Sequence, residues 1–332
     1  MAEKLFIEDF EKGMQVSETF YVEEKSLKTS TRGEPYLDLM LKDRTGSISG
    51  KVWKNAGEIS SAFERGDFVT ASGLVEDYRD RLQLRVVEAK RLERDKVRHE
   101  DFVRSLEPEK VEAYLAHILK IIDQVKDPFL KALLDSFFRD PEFQKTFARC
   151  PAARSIHHDM AGGLLRHTCT MLTVASFLAG KIYRNVNYDV LVTGILLHDL
   201  GKVEELEMDV SIDYTDEGLL LGHSVIGIRL MRERIGKIPG FPQRLAALLE
   251  HIFISHHGEF EYGAIKKPMT REAMLVHFID TMDAKMDIMD KAIKGLAPGE
   301  YWTEKCWPLG DLKILDTESF LAGEGQAGGP EK

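Results

Sequence analysis

The chain has little cysteine, no long apolar run and a deficit of positive charge. Its three cysteines, Cys150, Cys169 and Cys306, form no CxxC pair and no even framework. That excludes a disulfide scaffold and a cysteine-only zinc site, and it points to reduced thiols in a cytoplasmic protein. No apolar stretch reaches the roughly 20 residues that a membrane helix needs. The N-terminal "MAEKLFIEDFEKG" is acidic and lacks the basic, apolar and small-residue succession of a signal peptide. With 45 Lys and Arg against 55 Asp and Glu, the formal net charge is −10. Such a chain does not coat nucleic acid by bulk attraction. An enzyme acting on nucleic acid stays open, because a carboxylate-rich site turns electropositive once divalent ions fill it. In other respects the composition is that of a soluble globular protein, and 332 residues suffice for two domains.

Two textures divide the chain. Residues 1–95 read as strand and turn: "QVSETFYVEEKSLKTS", "YLDLMLKD", "SISGKVW", "FVTASGLVEDYRD" and "RLQLRVVEAKRL" alternate or carry β-branched residues, with "TRGEP" and "RTG" as turns. A short helix, "NAGEISSAFERGD", falls between the third and fourth strands. Five strands with a helix in that place follow the order of an OB-fold barrel. Such barrels bind single strands through basic grooves and aromatic platforms. Lys28, Arg32, Tyr36, Lys51, Trp53, Tyr78, Arg79 and Arg81 are the candidates for that surface. The alternative is that Tyr36 and Trp53 fill the barrel core and the basic side chains are merely solvated.

Residues 96–321 repeat apolar positions at intervals of three and four, the signature of packed helices. The expected fold is therefore multidomain α and β, a five-stranded OB-like barrel followed by an all-α domain. The last segment, 322–332, is rich in glycine and poor in apolar residues, and is expected to be a disordered tail.

The chemistry-bearing residues crowd into the helical half. Nine of the eleven histidines lie between residues 157 and 277. His167 follows "GGLLR"; His198 and Asp199 end the apolar run "GILLHDLGK"; His223 follows "LLG"; His256 and His257 end another helix; Asp280 lies within "HFIDTMDAK". Separate helices can aim such ligands at one point. Five imidazoles with two carboxylates suit Mn, Fe, Co, Ni or Zn better than Mg or Ca, and exceed what one ion needs. An Asp bridging two ions would fill two open shells, a pair able to generate hydroxide and clamp a phosphate. Lys202 sits at i+3 from Asp199, on the same face if the helix continues, within reach of phosphoryl oxygens. His99, His117, His157 and His158 read as hydrogen-bonded core or surface residues, the last two close enough to the first ligand helix to touch a substrate. His251, His277 and Asp283 read as neighbours of ligands, with Asp283 placed to orient Lys285 or a ligand.

The order His, His-Asp, His, His-His, Asp resembles the HD superfamily of metal-dependent phosphohydrolases, and its dinuclear members in particular. More closely, "GGLLRHT", "LLHDLGKVEEL", "EGLLLGHSVIG", "ISHHGEFEYG" and "KKPMTREAMLVHFIDTMDAK", preceded by an OB-like region, resemble the YhaM-type 3′→5′ exoribonucleases over nearly the whole chain. The resemblance implies release of nucleoside 5′-monophosphates from single-stranded RNA, and often single-stranded DNA. It also implies two divalent ions, Mn²⁺ favoured, with Fe²⁺, Co²⁺, Ni²⁺ or Zn²⁺ as alternatives. It would assign His167, His198, Asp199 and Asp280 to one ion, with Asp199 bridging to a second held by His223, His256 and His257. Lys202 would be the cationic catalytic residue. One departure is Arg166, where relatives often carry Glu. The rival reading is a cyclic-dinucleotide or nucleotide phosphohydrolase of the same superfamily. The segment "HHGEFEYGAIKKP" lacks the Gly-Tyr-Pro of cyclic-dinucleotide enzymes, and either activity would leave the first domain without a purpose. A non-catalytic sensor with a degenerate site is disfavoured by the full ligand complement.

Overall fold

The computed structural model describes residues 4–79, 81–154, 158–297 and 299–324. They fall into two compact units, the described residues up to 104 with 209–211, and those of 105–208 with the described residues from 212 onward. Among the described residues no helix is long and apolar enough to cross a membrane.

The first unit is built on a closed barrel. Its strands β1 (Gln15–Thr29), β2 (Pro35–Lys42), β3 (Ser47–Val52), β4 (Phe68–Tyr78) and β5 (Arg81–Leu92) close in the order β1-β2-β3-β5-β4. Only β3 and β5 run parallel; helix α1 (Ala56–Ser61) connects β3 to β4. The cause is strict alternation. Leu37, Leu39 and Leu41 of β2 point inward with Phe20, Val22, Val75 and Leu84, all essentially inaccessible, while the residues between them face out. Buried Asp43 closes the β2–β3 turn by accepting from Ile7 N (2.7 Å), Thr45 N (2.8 Å) and Thr45 Oγ1 (2.6 Å). The unit continues past the expected boundary at residue 95, because Phe102 is buried against Phe68 at 4.9 Å between ring centroids.

The second unit contains α2 (Pro108–Ile122), α3 (Pro128–Phe138), α4 (Pro141–Arg149), α5 (Gly163–Phe177), α6 (Tyr188–Leu197), α7 (Lys202–Glu205), α8 (Asp216–Ile235), α9 (Gln243–Ser255), α10 (Arg271–Lys294) and α11 (Thr317–Glu324). A two-stranded ribbon, β6 (Leu206–Met208) with β7 (Ile212–Tyr214), joins α7 to α8. Helix starts are signalled locally. Proline stands at the first turn of α2, α3 and α4, and Asp127, Asp140, Asn187, Thr215 and Thr270 cap their helices with side-chain acceptors. Helix α6 is buried from Val190 to Leu197, so it lacks a polar face and must be the centre of the bundle. It packs on α5, α9 and α10, and these four helices carry most of the candidate ligands. Residues Ala322–Glu324 of the expected tail close α11, and the remainder of that tail lies outside the described residues.

Where α6 gives way to α7, the chain passes flush against α8. A methyl group added at Gly201 would lie 2.0 Å from the His223 carbonyl oxygen and 2.6 Å from Gly227 N. Both are backbone atoms and cannot rotate aside. Gly201→Ala should therefore cost about 2 kcal/mol or more, the upper range for overpacking, read as a lower midpoint in urea unfolding. Gly180→Ala, whose methyl meets nothing within 4 Å, should leave the midpoint in place.

Candidate metal centre

Five helices deliver side chains to one buried cluster. His167 comes from the second turn of α5, and His198 and Asp199 from the end of α6. His256 and His257 come from the end of α9, and Asp280 from α10. His223 is placed by a break in α8, where Gly222 takes φ +71° and ψ 158°. That conformation is open to glycine and strained for other residues, and it restarts the helix at His223.

Asp199 lies at the middle. Its Oδ2 is 3.3 Å from His198 Nε2 and 3.9 Å from His167 Nε2, and His167 Nε2 is 3.2 Å from Asp280 Oδ1. Its Oδ1 faces the other way, 3.6 Å from His223 Nε2 and 3.8 Å from His256 Nε2. On that side His223 Nε2 stands 3.3 Å from His256 Nε2 and 3.1 Å from His257 Nε2. Lys202 Nζ donates to Asp199 Oδ2 at 2.7 Å. The chain turns between His198 and Gly201 before α7 begins, yet Lys202 still reaches the carboxylate. All seven candidate ligands and Lys202 thus belong to one constellation.

The donors fit divalent cations. His198 Nε2 and Asp199 Oδ1 are buried without a hydrogen-bond partner, an arrangement that costs about 1–3 kcal/mol for each such atom. Cations held on the two sides of Asp199 would relieve it. Nitrogens spaced 3.1–3.3 Å apart suit neighbouring ligands of one ion with bonds of about 2.1 Å.

A further layer of contacts aims each ring. His198 Nδ1 donates to the Ile195 carbonyl and His256 Nδ1 to the Phe253 carbonyl, both at 2.8 Å. His167 Nδ1 donates to Asp283 Oδ2 at 2.6 Å and His223 Nδ1 to Glu205 Oε1 at 3.0 Å. With Nδ1 carrying the proton, Nε2 presents its lone pair to the centre, the tautomer that a ligand requires. Glu205 also accepts from His223 N at 2.9 Å, capping the restarted helix.

Electrostatics differ between the two sides. Burial, helped by the imidazole of His257, holds the His256 pKa well below its usual value. Burial, helped by His223, brings His257 down to about 4. Burial opposes protonation of His167 too, but Asp280 and Asp283 outweigh it and raise that pKa to about 9. Burial also works against ionising Asp199, and Lys202 with the surrounding imidazoles keeps it a carboxylate.

The remaining sequence candidates fall around this core. Asp283 orients His167, and it also accepts from His158 Nε2 at 2.8 Å. His158 is buried, and its backbone N–H donates to Asp287 Oδ2 at 2.8 Å, so it braces the ligand layer. Neither Glu205 nor Asp287 was legible as part of the site, because their partners lie 18 and 129 residues away. His277 Nδ1 donates to the His256 carbonyl at 2.8 Å, and His251 Nε2 accepts from Met269 N at 2.9 Å. His117 is partly buried on α2, and His99 bonds to Asp209 at 2.7 Å. His157 lies outside the described residues. Arg166 is 40% exposed and 3.9 Å from Asp287.

On the barrel, Tyr36 and Trp53 are not core residues. They lie outside and stack, 4.8 Å between centroids at 24°, because β2 alternates and Tyr36 precedes inward Leu37. Lys28 and Lys51, from the strands either side of β2, both pair with Asp38. Tyr78 is 57% exposed with the Arg79 guanidinium 5.3 Å from its ring centroid. Arg79 turns the chain with φ +54°, while Arg32 and Arg81 are exposed.

Comparison with known proteins agrees with both units. Residues 164–285 match the HD domain family, and residues 22–92 match the OB-fold nucleic acid binding domain family. A protein of Halalkalibacterium halodurans named 3′-5′ exoribonuclease YhaM is 34% identical over 312 residues, 94% of each chain. One of Geobacillus sp. (strain WCH70) with the same name is 34% identical over 304 residues, 90% of this chain and 91% of that one. With an OB-fold barrel, an HD domain and this likeness across nine-tenths of its length, the chain belongs to the YhaM family.

Proposed function

We propose that this protein is a metal-dependent 3′→5′ exoribonuclease that releases nucleoside 5′-monophosphates from single-stranded RNA, with single-stranded DNA as a second substrate. The observation that carries the reading is Asp199, whose two oxygens face two separate groups of imidazoles. The names borne by relatives covering nine-tenths of the chain agree with it. In this reading His167, His198, Asp199 and Asp280 hold one cation, and Asp199, His223, His256 and His257 hold a second, Mn²⁺ being the favoured ion. Divalent cations supply Lewis-acid charge at phosphorus and a nucleophilic water at neutral pH.

The protein's own groups do the rest. The Tyr36–Trp53 pair offers stacking area to bases, and Lys28 and Lys51 beside it offer charge to phosphates. Hydrolysis of the terminal phosphodiester breaks the bond from phosphorus to the 3′ oxygen. The shortened strand leaves with a 3′ hydroxyl, and the released nucleotide keeps its phosphate on the 5′ oxygen. Lys202, buried and charged, holds Asp199 in place and offsets the negative charge that gathers on the phosphoryl group. The three free thiols fit a reducing compartment, and we place the protein in the cytoplasm.

Incubation with Mn²⁺ and 5′-labelled single-stranded RNA should produce a ladder that shortens from the 3′ end, and Asp199→Asn should abolish it. Intact RNA beside rapid cleavage of a cyclic dinucleotide would replace this reading with that of a cyclic-dinucleotide phosphodiesterase. Glu205→Ala removes the carboxylate behind His223 and should weaken Mn²⁺ binding about 10–100-fold, measured by the Mn²⁺ dependence of Tm. His167, protonated at pH 7 in the ion-free protein, must give up that proton to ligate. Apparent affinity at its set should therefore rise by about tenfold per pH unit from pH 7 to about 9 and then level off. A flat calorimetric profile over that range would contradict the assignment of His167 as a ligand.

A further inference from the structure

The turn that follows the paired histidines carries two aromatic side chains with no place in the core. Phe260 is 61% exposed and Tyr262 68%. Single exposed aromatics are ordinary, but here two occur in three residues, in a segment that is firmly anchored. Gly258 N donates to Ser255 O at 2.8 Å, and Ala264 N to Glu259 O at 3.2 Å. Ile265 N and Lys266 N both donate to Ile254 O, at 2.9 and 3.1 Å. Gly258 takes φ +78° and lies so close to the His277 ring that an added Cβ would be 2.1 Å from it. His277 is in turn bonded to the His256 carbonyl. The base of the turn is thereby fixed to the His256–His257 pair. Three residues of chain limit the Cα of Phe260 to about 11 Å from that of His257.

Two lysines accompany the rings, balanced by Glu259 and Glu261 of the same turn. Lys267 Nζ lies 5.7 Å from the Phe260 centroid and pairs with Glu259 at 2.6 Å, and Lys266 beside it is exposed. Rigid aromatic faces next to lysines complement a base followed by a phosphate.

We propose that Phe260 and Tyr262 form a stacking platform for the bases at the 3′ end of single-stranded RNA held at the adjoining ligand cluster. The proposal rests on the exoribonuclease reading and deepens it by assigning the subsite that grips the last nucleotides. Stacking is indifferent to base identity, so the platform suits an enzyme that removes nucleotides one after another.

The test compares the full-length protein with Phe260→Ala, Tyr262→Ala, the double variant and Tyr262→Phe on two oligoribonucleotides, one natural and one abasic at its last two positions. On natural RNA each alanine should lower kcat/KM about tenfold, more through KM than kcat, and Tyr262→Phe should stay near wild type. On the abasic oligonucleotide wild type should fall to the rate of the double variant, and that variant should fall no further. Equal losses on both substrates, or no loss on natural RNA, would overturn the platform. So would a change of sedimentation coefficient in the double variant, since the aromatics would then be covering a second copy of the chain. If wild type shortens RNA and the variants do so equally well, only the platform falls; if wild type leaves RNA intact, the exoribonuclease reading falls first.

Discussion

The buried pair of Asp199 and Lys202 is the constraint around which the helical unit is organised. Both side chains are nearly inaccessible, at 4% and 10% exposure. A carboxylate in such a place survives as an anion only if opposite charge surrounds it, and removing one member of a buried pair typically costs about 3–5 kcal/mol. Here Lys202 supplies one cation on Oδ2, while Oδ1 has no hydrogen-bond partner and looks toward imidazoles. The pair is therefore an incomplete electrostatic unit. Its completion by cations would turn a costly burial into a site.

Aiming the imidazoles has been solved in two ways. His198 and His256 both stand just past the end of a helix, and each bonds to a carbonyl three residues back. Helix ends leave such carbonyls without an intrahelical partner, so the same local geometry fixes the ring and satisfies the backbone. His167 and His223 lie at or near helix beginnings, where no free carbonyl is available. They use carboxylates brought from other elements, Asp283 of α10 and Glu205 of α7. The first device is encoded within four residues and the second needs the assembled bundle, so the carboxylate-held rings depend more strongly on tertiary packing.

This difference also explains what was legible beforehand. The five strands and the connecting helix could be read because alternation such as "YLDLMLK" and turns such as "TRGEP" are local signals. The seven candidate ligands could be picked out because histidine and aspartate ended or interrupted apolar periods and clustered along the chain. Glu205 and Asp287 could not, since each looks like an ordinary polar residue until packing brings its partner close. The alternative of core burial for Tyr36 and Trp53 failed on parity: Leu37 and Val52 take the inward positions, which leaves Tyr36 and Trp53, one residue away on each strand, outside. Gly222 was visible as a glycine, but its left-handed φ follows from the need to restart α8 with His223 turned toward Asp199.

Charge connects the two units to a polyanionic substrate in different ways. With a formal net charge of −10, long-range attraction does not bring RNA to this protein. On the barrel, Lys28 and Lys51 share the single carboxylate of Asp38, so much of their field is already neutralised. What the barrel surface offers in excess is ring area, from the Tyr36–Trp53 stack and, separately, exposed Tyr78. Stacking needs no counterion release, and its strength depends weakly on salt compared with phosphate contacts. In the helical unit a strong positive field would arise only when cations fill the cluster, whose own carboxylates, Asp199, Asp280, Asp283 and Glu205, outnumber the cationic Lys202 and His167. An empty site would repel a phosphodiester and a filled one would attract it. In the proposed reading, ion binding would set substrate affinity at the cleavage point as well as the chemistry performed there.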